Sequence, residues 1–194
     1  MNVEELRKRI ETALADRPRR IVDQEELVPA AVLLPITGRS DPHILFVKRT
    51  EQVAHHKGQI SFPGGIVETR DGSRLETALR EAREEIGLHP ELVEILGTLD
   101  DTETRATRFV ITPFVGLVTA PVAWRPDGRE IQQVLEVPLA GLLDPACFRV
   151  EMWERGGELT PVYFYDYRGE VIWGATARIL KQLLDLVFPQ GTSR

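Results

Sequence analysis

Disulfide chemistry has almost nothing to work with in this chain: its 194 residues include one cysteine, Cys147. An intrachain disulfide framework is therefore excluded, and the thiol content fits a reducing compartment, so a cytoplasmic location is expected. Long apolar runs are missing too. The longest, LVPAAVLLPI from Leu27 to Ile36, is too short and too broken by proline to cross a bilayer as a helix. Nor is there a basic excess: 24 Lys+Arg face 30 Asp+Glu, a net charge of −6. That balance argues against nucleic acid or a membrane surface as a general partner, but not against an anionic small molecule bound by a few local cations or a metal ion. The opening MNVEELRKRIETALADRPRR lacks the continuous apolar stretch of a secretory leader. The closing GTSR is not a Ser-Lys-Leu peroxisomal address. Internal repeats, low-complexity tracts and a linker long enough to divide the chain are absent as well.

What is present is ordinary for a soluble globular protein: 42% hydrophobic and 28% charged residues. The length suggests one domain over residues 1–194 and a core large enough to need no covalent staple, with roughly 70% of the unfolded surface buried. Val3, Leu6, Ile10 and Leu14 recur at helical spacing, which predicts an amphipathic helix ending near Asp16 and makes residues 1–20 a helical N-terminal extension. Further helices are expected over Arg74–Ile86, near Leu139–Leu143, and over Ala175–Phe188. Strands are expected at Ala30–Leu34, Ile44–Lys48, Glu94–Leu99, Phe109–Val118, Gln133–Val137, Phe148–Trp153 and Val162–Tyr165, many of them β-branched or aromatic. The alternation is too irregular for a doubly wound parallel sheet. It predicts an α/β sandwich.

The chemistry concentrates in GGIVETRDGSRLETALREAREEIGL, Gly64 to Leu88. Ser73 followed by Glu76 is a capping-box signature, and Gly87, Leu88 and Pro90 mark the far end of the helix. Leu75, Leu79, Ala82 and Ile86 form one narrow apolar stripe. Glu81, Glu84 and Glu85 share a second face, roughly 140° round from it. Taken blandly, that face is solvated, with Arg80 paired to Glu76 and Glu84 and with Arg83 nearby. Against this, Glu81 and Glu85 are like charges four residues apart, and they sit towards the helix C-terminus, where the macrodipole disfavours acids. A divalent cation relieves both conflicts. The Gly64–Gly65 turn lets backbone oxygens approach the same ion, and an all-oxygen set suits Mg²⁺ or Mn²⁺ better than zinc.

Gly65, Arg80, Glu81, Glu84, Glu85, Gly87 and Leu88 resemble the Nudix box, G-x5-E-x7-R-E-U-x-E-E-x-G-U, and REAREEIGL matches it without a gap. The middle acid is best matched by Asp71, with eight residues instead of seven before Arg80. The resemblance implies an α/β/α sandwich with a mixed sheet between helices, and hydrolysis of a nucleoside diphosphate linked to another moiety. It implies that Glu81 and Glu85 are metal ligands, with the Gly64 carbonyl as a backbone ligand. Glu84 becomes a third ligand or the holder of a water, and Arg80 orients the glutamates. Glu130 lies where many relatives carry another metal-binding acid, and a surface glutamate beside Arg129 fits it equally.

Two flanking stretches narrow the family. ILFVKRTEQVAHHKGQISFPGG, Ile44 to Gly65, resembles the extra motif of coenzyme A pyrophosphatases through Leu45, Arg49, Gly58, Phe62, Pro63, Gly64 and Gly65. Val47 and Thr50 replace its usual Thr and Ser, and Ala54 stands in place of its second Arg; Lys57, His55 or His56 is left to supply that charge. VIWGATARIL and LEVPLAGLLDP resemble two further segments of the same subgroup. The resemblance implies coenzyme A or a derivative as a small-molecule substrate, with Gly58 and Gly65 at the substrate and Glu81, Glu84, Glu85 and Arg80 at the chemistry; Arg49 and Lys57 flank the strand and turn leading into Gly64–Gly65 and so are placed to bind its phosphates. The general base stays open among Glu81, Glu84 and Glu130, and a homodimer is left open. Another Nudix substrate such as ADP-ribose, and a non-catalytic nucleotide sensor, are the rival readings. Arg49 in a structural ion pair, Phe62 in the core, Trp173 and Gly174 at a packing corner, and Cys147 as a small buried residue are the plain alternatives to roles at the substrate.

Overall fold

The computed structural model describes residues 1–38, 40–51, 57–104 and 107–189, and of Arg155 only the backbone. Ala54, His55 and His56 lie outside the described residues.

Helix α1 (Val3–Ala15) opens on a full capping box that the hydrophobic spacing did not reveal: Asn2 accepts the Glu5 N–H, and Glu5 accepts the Asn2 N–H. Val3, Leu6 and Ile10 are its buried face. There follow β1 (Val28–Thr37), β2 (His43–Arg49), β3 (Ile60–Ser61), β4 (Gly64–Ile66) and α2 (Arg74–Ile86). Then come β5 (Val93–Thr98), β6 (Thr102–Thr104), β7 (Phe109–Val118), β8 (Ile131–Pro138) and α3 (Leu139–Leu142). The chain finishes with β9 (Phe148–Arg155), β10 (Glu158–Tyr167), β11 (Glu170–Trp173) and α4 (Gly174–Val187).

Eight strands make a mixed sheet with the path β3-β2-β1-β7-β5, while β4 pairs with β1, β6 with β7 and β8 with β2. The β1–β7 pair is parallel, from Val28 opposite Phe109 to Ile36 opposite Leu117; the other pairs are antiparallel. A second, antiparallel sheet runs β11-β10-β9. Strand β1 is apolar from Val28 to Ile36, and from Ala30 onward both its faces are covered. Ala31 and Leu33 pack towards Ala78, Ala82 and Ile86 of α2, whereas Leu34 and Ile36 join Leu6 and Ile10 of α1 and Leu180, Leu183 and Leu184 of α4. Helix α2 thus covers one face of the sheet, and α1, α4 and the small sheet cover the other. This is the expected α/β/α sandwich. Among the described residues, no helix is long and apolar enough to cross a membrane.

The seven expected strands and four expected helices all form, with ends shifted by a few residues. Strands β3, β4, β6 and β11, two to four residues each, were not expected. Segments that short carry no period and form because a partner strand is already in place. The apolar stripe of α2 is corrected as well. Leu75 and Leu79 are only partly buried, and the covered face is Thr77, Ala78, Ala82, Glu85 and Ile86. The small side chains of Ala78 and Ala82 let the helix lie close to β1, and that contact rolls Glu85 inward. The N-terminal cap is also half of the expected box. Ser73 accepts the Glu76 N–H at 3.1 Å, but the Glu76 carboxylate accepts from Gly72 instead of Ser73. At the other end, left-handed Gly87 donates to the Arg83 carbonyl and Leu88 to that of Ala82, as the sequence signals.

Candidate functional site

The turn after β3 and the second half of α2 meet over β1. Gly64 pairs with Val32, and its N–H donates to the Glu85 carboxylate at 3.1 Å. A Cβ on Gly64 would stand 2.3 Å from the Ala31 carbonyl, and its φ of 153° disfavours other residues, so backbone approaches carboxylate here only through glycine. Glu85 is 6% exposed. Burial, and then the neighbouring charges of Glu81 and Glu130, outweigh the Gly64 N–H and the pull of Arg49 and push its carboxyl up to about 8. Burial likewise raises the Glu81 carboxyl, against the pull of Arg80.

Gly65 comes equally close to Glu81: a Cβ there would lie 2.5 Å from Glu81 Oε1. Gly65→Ala is therefore expected to turn that carboxylate aside. Turnover should drop by about 10²-fold, the cost of an ångström-scale misplacement, with the melting temperature nearly unchanged. Steady-state kinetics beside a thermal melt checks this.

Arg80 is clamped by the acid whose spacing departs from the box. Asp71 accepts from Arg80 Nε at 2.9 Å and from a terminal nitrogen at 3.1 Å, a bidentate pair, and also from the Thr77 hydroxyl at 2.8 Å and the Glu68 N–H at 2.9 Å. Its side chain is 3% exposed, and the Arg80 guanidinium holds its carboxyl far below the usual range. The additional residue is absorbed in the turn over 68–73, where the Asp71 N–H donates to the Glu68 carbonyl. Arg80 also donates to Glu81 at 2.8 Å and to Glu84 at 3.3 Å. Glu84 is half exposed and meets Arg70 as well.

Arg49, at the end of β2, donates to Glu130 at 2.8 Å, so the ion-pair reading of Arg49 is realised, with Glu130 as its partner. Its Nε is buried with no hydrogen-bond partner among the described residues. Sequence reasoning missed Asp127, which accepts the N–H groups of Arg129, Glu130 and Ile131 and fixes the Glu130 turn. The N–H groups of Arg125 and Asp127 satisfy the Ile86 and Glu85 carbonyls at the end of α2. The signal was available in Pro126-Asp127-Gly128, a turn sequence.

Gly64, Gly65, Arg80, Glu81, Glu84, Glu85, Arg49 and Glu130 thus share one neighbourhood. Lys57 and Gly58 instead line a pocket beside β11 with Lys48 and Trp173, and neither Lys48 nor the pocket was read from the sequence. Phe62 is core, stacked on Phe46 at 4.9 Å, and Cys147 is buried. Among the described residues, no three Asp, Glu, His or Cys side chains converge tightly enough to cage an ion as placed, because Arg80 holds Glu81 and Glu84. The donor chemistry nevertheless suits a hard divalent cation. Glu85 is a buried carboxylate whose single hydrogen bond among the described residues is to a backbone N–H, with two further carboxylates as electrostatic neighbours.

Comparison with known proteins places this arrangement. The chain is 35% identical over 179 residues to the Nudix hydrolase NudL of Photorhabdus laumondii subsp. laumondii, covering 92% of this chain and 94% of that one. It is 37% identical over 154 residues to NudL of Salmonella paratyphi B, covering 79% and 80%. Among solved structures, a MutT/nudix family protein from Enterococcus faecalis superposes with a TM-score of 0.55 at 15% identity, over 88% of this chain and 66% of that one. RenU, a Nudix hydrolase of M. smegmatis, gives 0.50 at 21% identity, over 60% and 74%. At those identities the structures speak for the fold alone. The NUDIX domain description matches residues 27–171, and the glycine turn, the Asp71–Arg80 clamp and the three glutamates all fall inside that stretch. The chain belongs to the Nudix family.

Proposed function

We propose that this Nudix chain is a divalent-cation-dependent pyrophosphohydrolase of coenzyme A and its derivatives, releasing 4′-phosphopantetheine (or its acyl form) and adenosine 3′,5′-bisphosphate. Glu85 carries the hydrolytic reading. A carboxyl 6% exposed, pushed up to about 8 beside two further acids, is costly to ionise, and a divalent cation sharing it offsets that cost. In this reading Glu81 and Glu85 hold Mg²⁺ or Mn²⁺, with Glu84, Glu130 and the Gly64 carbonyl completing the set. Bound there, such an ion supplies charge screening for the polyanionic diphosphate, a lowered pKa for water and stabilisation of the departing phosphate. The chain's own residues do the positioning. Asp71 clamps Arg80, and Arg80 sets the direction of Glu81. Gly65 leaves room for the Glu81 carboxylate. Arg49 offers a guanidinium beside Glu130, suited to a phosphate oxygen. The base is one of Glu81, Glu84 and Glu130. Coenzyme A is favoured over other diphosphates by the stretch from Leu45 to Gly65 and by Ile172-Trp173-Gly174, whose elements adjoin one another through β3 and β11. Action as one cytoplasmic domain belongs to the same proposal.

Incubation with coenzyme A and Mg²⁺ in ¹⁸O water, followed by mass spectrometry, tests it. The two expected products should form, with ¹⁸O on one of them. A kcat/KM for coenzyme A far below that for ADP-ribose would replace the substrate. Tight nucleotide binding without phosphate-product release would make the chain a sensor.

A further inference from the structure

We propose that the pocket between β2 and the β10–β11 hairpin binds the non-reacting end of the substrate, a heterocyclic base carrying a phosphate. This rests on the diphosphate-hydrolase reading and deepens it by assigning the 3′-phosphorylated adenosine end to residues outside the acidic centre. The cavity is about 490 Å³, within the range of small-ligand sites. One wall is aromatic. The Phe164 and Trp173 rings lie nearly parallel, 9° apart in plane with centroids at 6.2 Å. Trp153 lies beside Trp173 at 6.0 Å, tilted by 45°, and the Arg149 guanidinium sits 3.9 Å over Phe164. Rings that already pack on one another accept a further flat ring at little ordering cost.

The lining also carries cations. Among the described residues it holds Lys48 and Lys57 against one acid, Glu170, one net positive charge in a chain of net −6. Lys48 Nζ lies 2.8 Å from both Glu170 oxygens, and both side chains are about 30% exposed, open to an incoming anion. Lys57 is exposed at the rim. The pantetheine arm brings neither a ring to stack nor an anion to pair, whereas the phosphorylated nucleoside brings both.

Placement fits as well. Lys48 and Arg49 are consecutive in β2 but diverge, Lys48 to Glu170 of β11 and Arg49 to Glu130 beside Glu85. Neighbouring strand residues point to opposite faces, so the pocket and the acidic centre lie on the two faces of the mixed sheet at the same end of β2. A substrate folded round the end of β2 reaches both.

Two measurements decide it. Wild type is expected to prefer coenzyme A over dephospho-coenzyme A by about tenfold in kcat/KM, and Lys57→Ala to bring that ratio towards one. Separately, calorimetric titration with adenosine 3′,5′-bisphosphate in the presence of Mg²⁺ should give a Kd about tenfold weaker in Lys57→Ala and in Trp173→Leu than in wild type. Circular dichroism confirms that Trp173→Leu is folded, and Lys57→Ala decides alone if it is not. Equal Kd values in wild type and Lys57→Ala, or no binding to wild type, overturn the assignment. If adenosine 3′,5′-bisphosphate binds as expected while wild type cleaves neither coenzyme, the pocket stands and the coenzyme A reading falls.

Discussion

Glu85→Gln is expected to make the cation-free protein more stable while removing nearly all turnover, a loss of at least about 10²-fold. The reasoning is one of linkage. In the fold the Glu85 carboxyl is raised from 4.5 to about 8, chiefly by burial, so the native state holds a proton that the unfolded chain releases. This group's contribution to stability is therefore greatest below pH 4.5 and is lost as pH climbs towards 8. Glutamine copies the protonated form at every pH. The variant's advantage should be absent at pH 4, grow across the window from 4.5 to 8, and then level off. At pH 8 a melting temperature higher by about 3 °C or more is expected. Added Mg²⁺ should raise the melting temperature of wild type and leave the variant unmoved. Melts at pH 4 and 8, with and without Mg²⁺, read all three. Near-wild-type turnover at saturating Mg²⁺ would remove Glu85 from the chemistry, and a lower melting temperature at pH 8 would remove the electrostatic account.

The largest loss of stability is expected far from that helix face. Asp101→Asn should cost about 3–5 kcal/mol, the range for breaking a buried charge cluster, and lower the melting temperature by about 10 °C. The Asp101 side chain is wholly buried and ties three parts of the chain together. It accepts from the Arg19 guanidinium and the Val22 N–H in the segment after α1, from the Thr112 hydroxyl in β7 at 2.6 Å, and from Arg74 at the start of α2 at 3.4 Å. Burial alone would raise its carboxyl, but Thr112, the Val22 N–H and Arg19 together hold it below its ordinary value. The sign is thus opposite to that of Glu85. Stability from Asp101 is present above the unfolded-state pKa of 3.8 and is lost as pH falls through the lower folded value. The gap between wild type and variant should be wide at pH 7 and narrow as pH falls below 3.8. Chemical denaturation at several pH values measures it, and a gap that widens in acid would refute the sign.

The two carboxylates also mark the limit of what spacing can reveal. Glu85 was legible as a candidate because it lies in a run of acids at helical spacing, in an electrostatically awkward place. Its burial was not legible, since a pattern of leucines argued for a different face. The helix rolled because Ala78 and Ala82 permit close contact with β1, and closeness of backbone is not written in hydrophobicity. Asp101 sits in an unremarkable Leu-Asp-Asp-Thr stretch, and its partners come from residues 19 to 112, so no local window exposes it. Asp71 stands between these cases. Its identity and rough position were visible, and the one-residue slip left its role open until the bidentate contact with Arg80 settled it.

Neighbours along the chain were enough to reveal the helices and long strands, the Gly87 end of α2, the family through its glutamates and glycines, and the lack of any apolar run long enough for a membrane helix. These are matters of period, propensity and motif, carried by neighbours in the chain. Which acid is buried, the pairing of Arg49 with Glu130 across 81 residues, and the meeting of Lys48 and Trp173 at one cavity emerge on folding alone. Each joins parts of the chain distant in sequence, and such long-range pairing leaves almost no trace in the residues of either partner alone.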